Sequence, residues 1–216
     1  MGFPAPRVSR SGKPISQISI DSFISSIEGV VLVKGQVDEK AYLGAMDRFN
    51  KATISEATIV VLVASEADVA AALKYAQEWD LEVVISYGRH SYYDLRKMKK
   101  VEVDVDGMSI TAGGGCQAVD LETTLQELGL SVVMGAANDT GIGGLTLGGG
   151  SGCLTGQYGL VINNVLSARV VLADGRVLEA SKDTNPDLFW GIRGGSNFGV
   201  VTEFKYRIHQ QGDVFL

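Results

Sequence analysis

The sequence predicts an α+β fold in two lobes: a small parallel α/β lobe over about 26–105, then a mainly antiparallel α+β lobe over about 106–208. Three observations predict it. A strand–helix–strand pattern fills 58–86, two Asp-Gly hairpin turns follow at 106–107 and 174–175, and glycine-dense loops separate the later elements. With 216 residues, 45% of them hydrophobic, the chain can build one large core or two lobes sharing an interface.

Residues 1–25 are polar and punctuated by Ser and Pro, which reads as a loose arm. "TIVVLV" (58–63) is a short apolar run rich in β-branched residues, hence a buried strand. Ser65 and Asp68 then have capping-box spacing, and Val69, Ala72, Leu73 and Ala76 repeat at the spacing of one helix face. "EVVIS" (82–86) closes the unit, expected as a strand parallel to 58–63. "KKVEVDVDGMSITAG" reads as two strands about Asp106-Gly107, and a helix follows at about 117–128. "VLSARVVLADGRVLEAS" is a second hairpin turning at Asp174-Gly175, and "GVVTEFKYRI" ends the chain in an alternating strand.

Composition narrows the function classes. A formal charge of −6 leaves no basic footprint for nucleic acid. No apolar run approaches the ~20 residues of a membrane span. The N-terminal stretch "MGFPAPRVSRSGKPISQ" has no apolar leader, so the expected location is cytoplasmic. Cys116 and Cys153 form no disulfide framework, and His90 and His209 alone cannot make a histidine-rich metal centre. Asn138-Asp139-Thr140 is a formal glycosylation sequon without a secretory context.

The densest signal is "GIGGLTLGGGSGCLTGQYGL" (141–160), with nine glycines in twenty residues. Such loops let backbone N–H groups surround an anion and approach a ligand closely. Gly143 and Gly148 have Walker A spacing, but Gly149 and Gly150 stand where Lys-Ser/Thr is needed. "GGGCQA", with Gly113, Gly115 and Ala118, fits a dinucleotide-binding fingerprint and makes an NAD(P)-dependent Rossmann enzyme a rival reading. That rival lacks an acidic residue ending the next strand, and it leaves "GGLTLGGGSG" and "IRGGSNFG" without a purpose.

Five segments in order, from the 58–86 unit through "SYGRHS", "VDVDGMSITAGGGCQAVDLETTLQELGL", the 141–181 stretch and "NPDLFWGIRGGSNFGVVTEF", resemble the FAD-binding domain of the FAD-linked oxidases. The narrower resemblance is to the berberine-bridge-enzyme-like branch of the vanillyl-alcohol-oxidase superfamily, as found in fungi, over roughly 45–208. It implies FAD extended in the crevice between the lobes. It also implies oxidation of an alcohol, amine or ring carbon of a small molecule, by hydride transfer to flavin with dioxygen as acceptor. Ser86, Tyr87, Gly88, Arg89, His90 and Ser91 match the loop that wraps the pyrophosphate, and His90 matches the histidine that tethers the flavin. Gly141, Gly143, Gly144, Gly148, Gly149 and Gly150 match the flavin-lining turn. Gly199, Val200 and Val201 match the segment against the adenine.

The departures are specific. Tyr87 and Arg89 replace glycines of the tether loop; Arg89 offers a guanidinium to a phosphate oxygen instead. A second, cysteine tether is not expected, because Ala137 stands at its place. "SYYDLRKM" follows His90 at once, so several residues of loop and strand present in relatives are missing. The sequence given ends at Leu216, and the resemblance leads one to expect that the half carrying the substrate sheet and catalytic base in relatives is absent from it, so no catalytic residue or substrate is named. The stretch as given is expected to bind flavin without turnover, as an inactive fragment, and the third reading is a catalytically dead flavin-domain remnant acting as a binding module. Cys116 and Cys153 are expected as small buried residues, Phe189 and Trp190 as core anchors, and Tyr92, Tyr93 and Tyr158 as packing residues. Lys97, Lys99 and Lys100 are expected on a solvated turn, and nothing is assigned to His209.

Overall fold

The computed structural model describes residues 17–46, 57–87, 95, 97–195 and 197–212. The first described element is helix α1 (Gln17–Ser26). Residues 17–25, expected in the loose arm, are therefore ordered. Ile20, Phe23 and Ile27 fall on one face and are buried, and Phe23 stacks on Tyr75 with centroids 4.1 Å apart. The serines between them hide that helical spacing from a reading of composition.

Strand β1 (Val30–Val33), helix α2 (Glu39–Met46), strand β2 (Ile59–Leu62) and helix α3 (Glu66–Glu78) complete the first layer. Ser65 caps α3 by accepting the Asp68 N–H at 3.2 Å, as its spacing predicts. The expected parallel pair is corrected. β2 pairs antiparallel with β1, from Val30 opposite Leu62 to Val33 opposite Ile59, and 82–86 lies outside any strand. α3 ends with Asp80 at φ 50° and the Leu81 N–H returned to the Ala76 carbonyl, a close turn after which 82–86 joins no ladder with β2. Asp68, 2% exposed, clips the layer together: its carboxylate accepts the N–H groups of Glu28, Gly29 and Ala64 at 2.8–2.9 Å.

The second sheet contains β3 (Val101–Asp104), β4 (Ser109–Gly113), β5 (Leu130–Val132), β6 (Val165–Val171), β7 (Val177–Ser181) and β8 (Val200–Gln210). Its order is β3-β4-β8-β6-β7, every pairing is antiparallel, and β5 adds to the far end of β8. Both Asp-Gly hairpins form. The Gly107 N–H donates to Asp104 Oδ1 at 2.8 Å, and the Leu172 N–H donates to the Arg176 carbonyl at 2.8 Å. β8 alternates as its sequence predicts, with Phe204, Tyr206 and Ile208 buried. Between Arg169 and Val170 the β6–β8 register shifts, so Thr202 is an extra residue in a bulge.

Helices α4 (Ala118–Gln126), α5 (Ile142–Leu147), α6 (Thr155–Tyr158) and α7 (Pro186–Ile192), with a 3-10 turn at Val161–Asn164, pack against this sheet. One buried cluster runs from Ile20 of α1 to Ile208 of β8. Arg169 of β6 grips Glu66 of α3 through two hydrogen bonds of 2.7–2.8 Å, and the Thr202 hydroxyl donates to the same carboxylate at 2.9 Å. The Arg169 guanidinium accordingly holds the Glu66 carboxyl below its usual range.

The Rossmann alternative is not supported. β4 and α4 are followed by β5, which pairs with β8 and not with β4, so among the described residues these elements form no paired parallel βαβ unit. Its glycines face the chain itself: a Cβ on Gly113 would collide with the Met98 carbonyl, and one on Gly114 would lie 2.7 Å from the Val201 carbonyl. Trp190 is a further correction, being 79% exposed. In α7, Phe189 and Ile192 share the inward face, which turns Trp190 outward. Cys116 is buried as expected and its thiol is pushed up to about 11 by burial, whereas Cys153 is exposed on the short turn before α6.

Candidate functional site

Three stretches of backbone meet at one cleft. The first is 83–87, with Val83, Val84 and Ile85 half-buried, and Ser86 and Tyr87 buried. The Ser86 carbonyl accepts the Leu95 N–H at 3.2 Å, which anchors this stretch to the core. The second is α5, preceded by Gly141 and started where the Ile142 N–H reaches the Cys116 carbonyl at 3.0 Å. The third follows α7 and contributes Gly194, Gly195 and Asn197. Together with Gly144, Leu147 and Gly148 they enclose about 580 Å³.

Glycine residues of α5 divide the work by direction. Gly143 faces inward, and a Cβ there would collide with the Tyr87 ring. One residue on, Gly144 has nothing within 4 Å of its Cβ position, and it opens directly on the cleft. Gly148 ends the helix, returning its N–H to the Gly144 carbonyl at 3.1 Å. Among the described residues no charged side chain lines the cleft, so what they offer an anionic ligand is backbone dipoles.

The other predicted residues are placed as follows. Gly149 and Gly150 form a turn whose carbonyls accept the N–H groups of Ile162 and Val161 at 3.0 Å. Gly150 sits at φ 71°, and a Cβ there would lie 2.7 Å from Val161 Cγ2, so its lack of a side chain serves the chain's own packing. Gly199 is pressed against Val170 and Val171, while Val200 and Val201 are buried at the start of β8. The Val201 N–H donates to Tyr87 Oη at 3.0 Å. Gly88, Arg89, His90 and Ser91, with Tyr92 and Tyr93, lie outside the described residues. The motifs do not reach Val83, Val84, Ile85, Leu147, Gly194, Gly195 and Asn197 of this lining, although the glycine pair in "RGGSN" is a legible signal for the last three.

A second hollow of about 420 Å³ lies between α4, β5 and α6, with Cys153 and Tyr158 in its wall. Tyr158 stacks on His209 with centroids 3.7 Å apart. Asn164 commits its amide nitrogen to the carbonyls of Tyr158 and Leu160, so its Oδ1 accepts from His209 Nε2 at 3.0 Å. Burial and then the neighbouring Arg207 lower the His209 pKa.

Residues 57–181, more than half of the chain, match the profile of the FAD binding domain family. The chain belongs to that family. This FAD binding domain is 48% identical over 216 residues to the FAD-linked oxidoreductase pgmH of Aspergillus terreus, a match covering 94% of this chain and 44% of that protein. Its fold is similar to that of the Physcomitrella patens BBE-like 1 protein, with a TM-score of 0.83 at 25% identity over 88% of this chain and 44% of that one. It is also similar to the glucooligosaccharide oxidase of Acremonium strictum, whose structure is described with 6-S-cysteinyl, 8α-N1-histidyl FAD. There the TM-score is 0.81 at 28% identity, over 89% and 43% of the two chains. The berberine-bridge-enzyme-like resemblance read from the motifs thus holds. The FAD binding domain spans less than half the length of these relatives.

Proposed function

We propose that this chain binds FAD in the cleft between 83–87, α5 and the 194–197 turn, as the flavin-holding part of a berberine-bridge-enzyme-like oxidoreductase. The observation that carries the reading is the open Gly144 surface beside Gly148, Gly194 and Gly195, a cradle that side chains would fill. The residues present fit an extended, backbone-recognised ligand over this part of the cleft. Val83, Val84 and Ile85 supply an apolar wall, and the glycines let a ligand approach the backbone closely. His90 is the proposed point of covalent attachment, as its place in the motif implies, with Arg89 as a phosphate contact.

When bound, FAD supplies the capacity to accept a hydride from an alcohol, amine or ring carbon, with dioxygen as the final acceptor. The chain's own residues bind, orient and shield. The names of the relatives support this reaction class, and the substrate is a small molecule whose identity this cleft does not choose. An absorption spectrum of the purified protein tests the reading, followed by acid precipitation. Flavin bands that stay with the precipitated chain, and leave it in His90→Ala, are the expected result. A colourless protein that takes up no FAD overturns it.

A further inference from the structure

Tyr87 occupies a place where the loop pattern of the sequence leads one to expect glycine, and its side chain is 7% exposed. Its ring lies over Gly143 so closely that a Cβ at 143 could not be accommodated. Its Oη receives the Val201 N–H at 3.0 Å. That N–H is available because β4 ends at Gly113, opposite Glu203, while the bulge at Thr202 offsets the β6 pairing on the other side. A buried backbone N–H needs a partner, and here a side chain from 114 residues earlier provides it. Burial holds the phenol above the usual tyrosine range, so it stays neutral at ordinary pH.

Three positions assigned to the cofactor by motif, Tyr87, Gly143 and Val201, therefore satisfy one another. Among the described residues, the Gly144–Gly195 side of the cleft has no such internal occupant. We infer that Tyr87 is a built-in competitor of FAD, which fills the Val201–Gly143 end of the cleft and must withdraw its phenol and ring before the cofactor can seat there. This rests on the FAD reading proposed above. Affinity is then reduced by the fraction of molecules in which Tyr87 has left the site.

The test is an FAD titration, read by flavin fluorescence, of the unaltered chain, Tyr87→Phe and Tyr87→Gly, with circular dichroism confirming the fold of each. Tyr87→Phe keeps the ring but strands the Val201 N–H in the filled state, so it is expected to bind FAD about fivefold more tightly. Tyr87→Gly removes the ring as well and is expected to gain about tenfold or more. In the absence of FAD, hydrogen exchange at the Val201 amide is expected to speed up in Tyr87→Phe. Should Tyr87→Gly fail to fold, Tyr87→Phe decides alone. Equal or weaker FAD binding by the folded variants, or unchanged Val201 exchange in Tyr87→Phe, overturns the inference and leaves the FAD reading standing. No FAD binding by any of the three chains overturns both.

Discussion

Replacing Gly144 and Gly150 separately by valine separates ligand space from chain packing. At 144 a Cβ meets nothing within 4 Å, and the backbone is already helical. Valine is a better helix former than glycine by a few tenths of a kcal/mol, so stability is expected to stay level or rise slightly. Its methyl groups project into the cleft, and an overpacking penalty of about 1–3 kcal/mol against the cofactor corresponds to roughly 10–100-fold weaker FAD binding. At 150 the same residue must adopt φ 71° and meet Val161 Cγ2 at 2.7 Å. The left-handed backbone costs about 1–2 kcal/mol and the collision about 1–3 kcal/mol, some 3 kcal/mol together. For a domain of this size each kcal/mol lowers Tm by about 2–4 °C, so Gly150→Val is expected to melt roughly 6–12 °C lower. Thermal melts by circular dichroism and flavin-fluorescence titrations read the two effects independently. The reasoning is refuted if Gly144→Val binds FAD like the unaltered chain, or if it is the less stable of the two variants.

Removing the Asp68 carboxylate strands three N–H groups at the junction of α1, β1 and β2. Glu28 is exposed and Gly29 and Ala64 are partly exposed, so water recovers part of the loss, and Asp68→Ala is expected to lower stability by about 2–3 kcal/mol. Urea unfolding by circular dichroism checks it, and a midpoint shift under about 0.5 M argues against the clip. His209 gives a pH dependence of known sign. Its folded pKa lies below the ordinary histidine value, so the unfolded chain takes up the proton first as pH falls. The contribution is intact above about pH 6.5 and is lost progressively below it, down to the folded pKa. The difference in Tm between pH 7.5 and 5.5 is therefore expected to shrink in His209→Gln, and an unchanged difference removes His209 from the account.

Local signals in the sequence carried furthest where one residue dictates one geometry. Asp-Gly at 106–107 and 174–175 makes a turn whatever surrounds it, and Ser65 caps whichever helix follows it. Pairing partners were harder to read. "TIVVLV" is visibly a strand, but nothing in it states that 30–33 will pair with it and that 82–86 will not. The Ser-rich α1 escaped notice because its helical face consists of only Ile20, Phe23 and Ile27. Among the glycines, density pointed to the right region without separating their roles. Gly144 opens on a cleft and Gly150 closes a turn, and only the atoms around each tell them apart. In the sequence Tyr87 is only a replacement in a glycine loop, and its bond to Val201, 114 residues away, has no local signature.

The position of β8 has a consequence for how the chain is made. Gly113 of β4 waits about 90 residues for its partner Glu203, and β6 is likewise complete before β8 emerges. At ordinary synthesis rates of about 5–20 residues per second, the β3–β4 hairpin spends roughly 5–20 s with an open edge. The β6–β7 hairpin joins it, and the two cannot pair correctly with each other because their shared neighbour does not yet exist. Unpaired edges of this kind recruit other strands. During those seconds the nascent chain depends on dilution or on a chaperone, and slowing translation before residue 200 would lengthen the interval in which aggregation competes with folding.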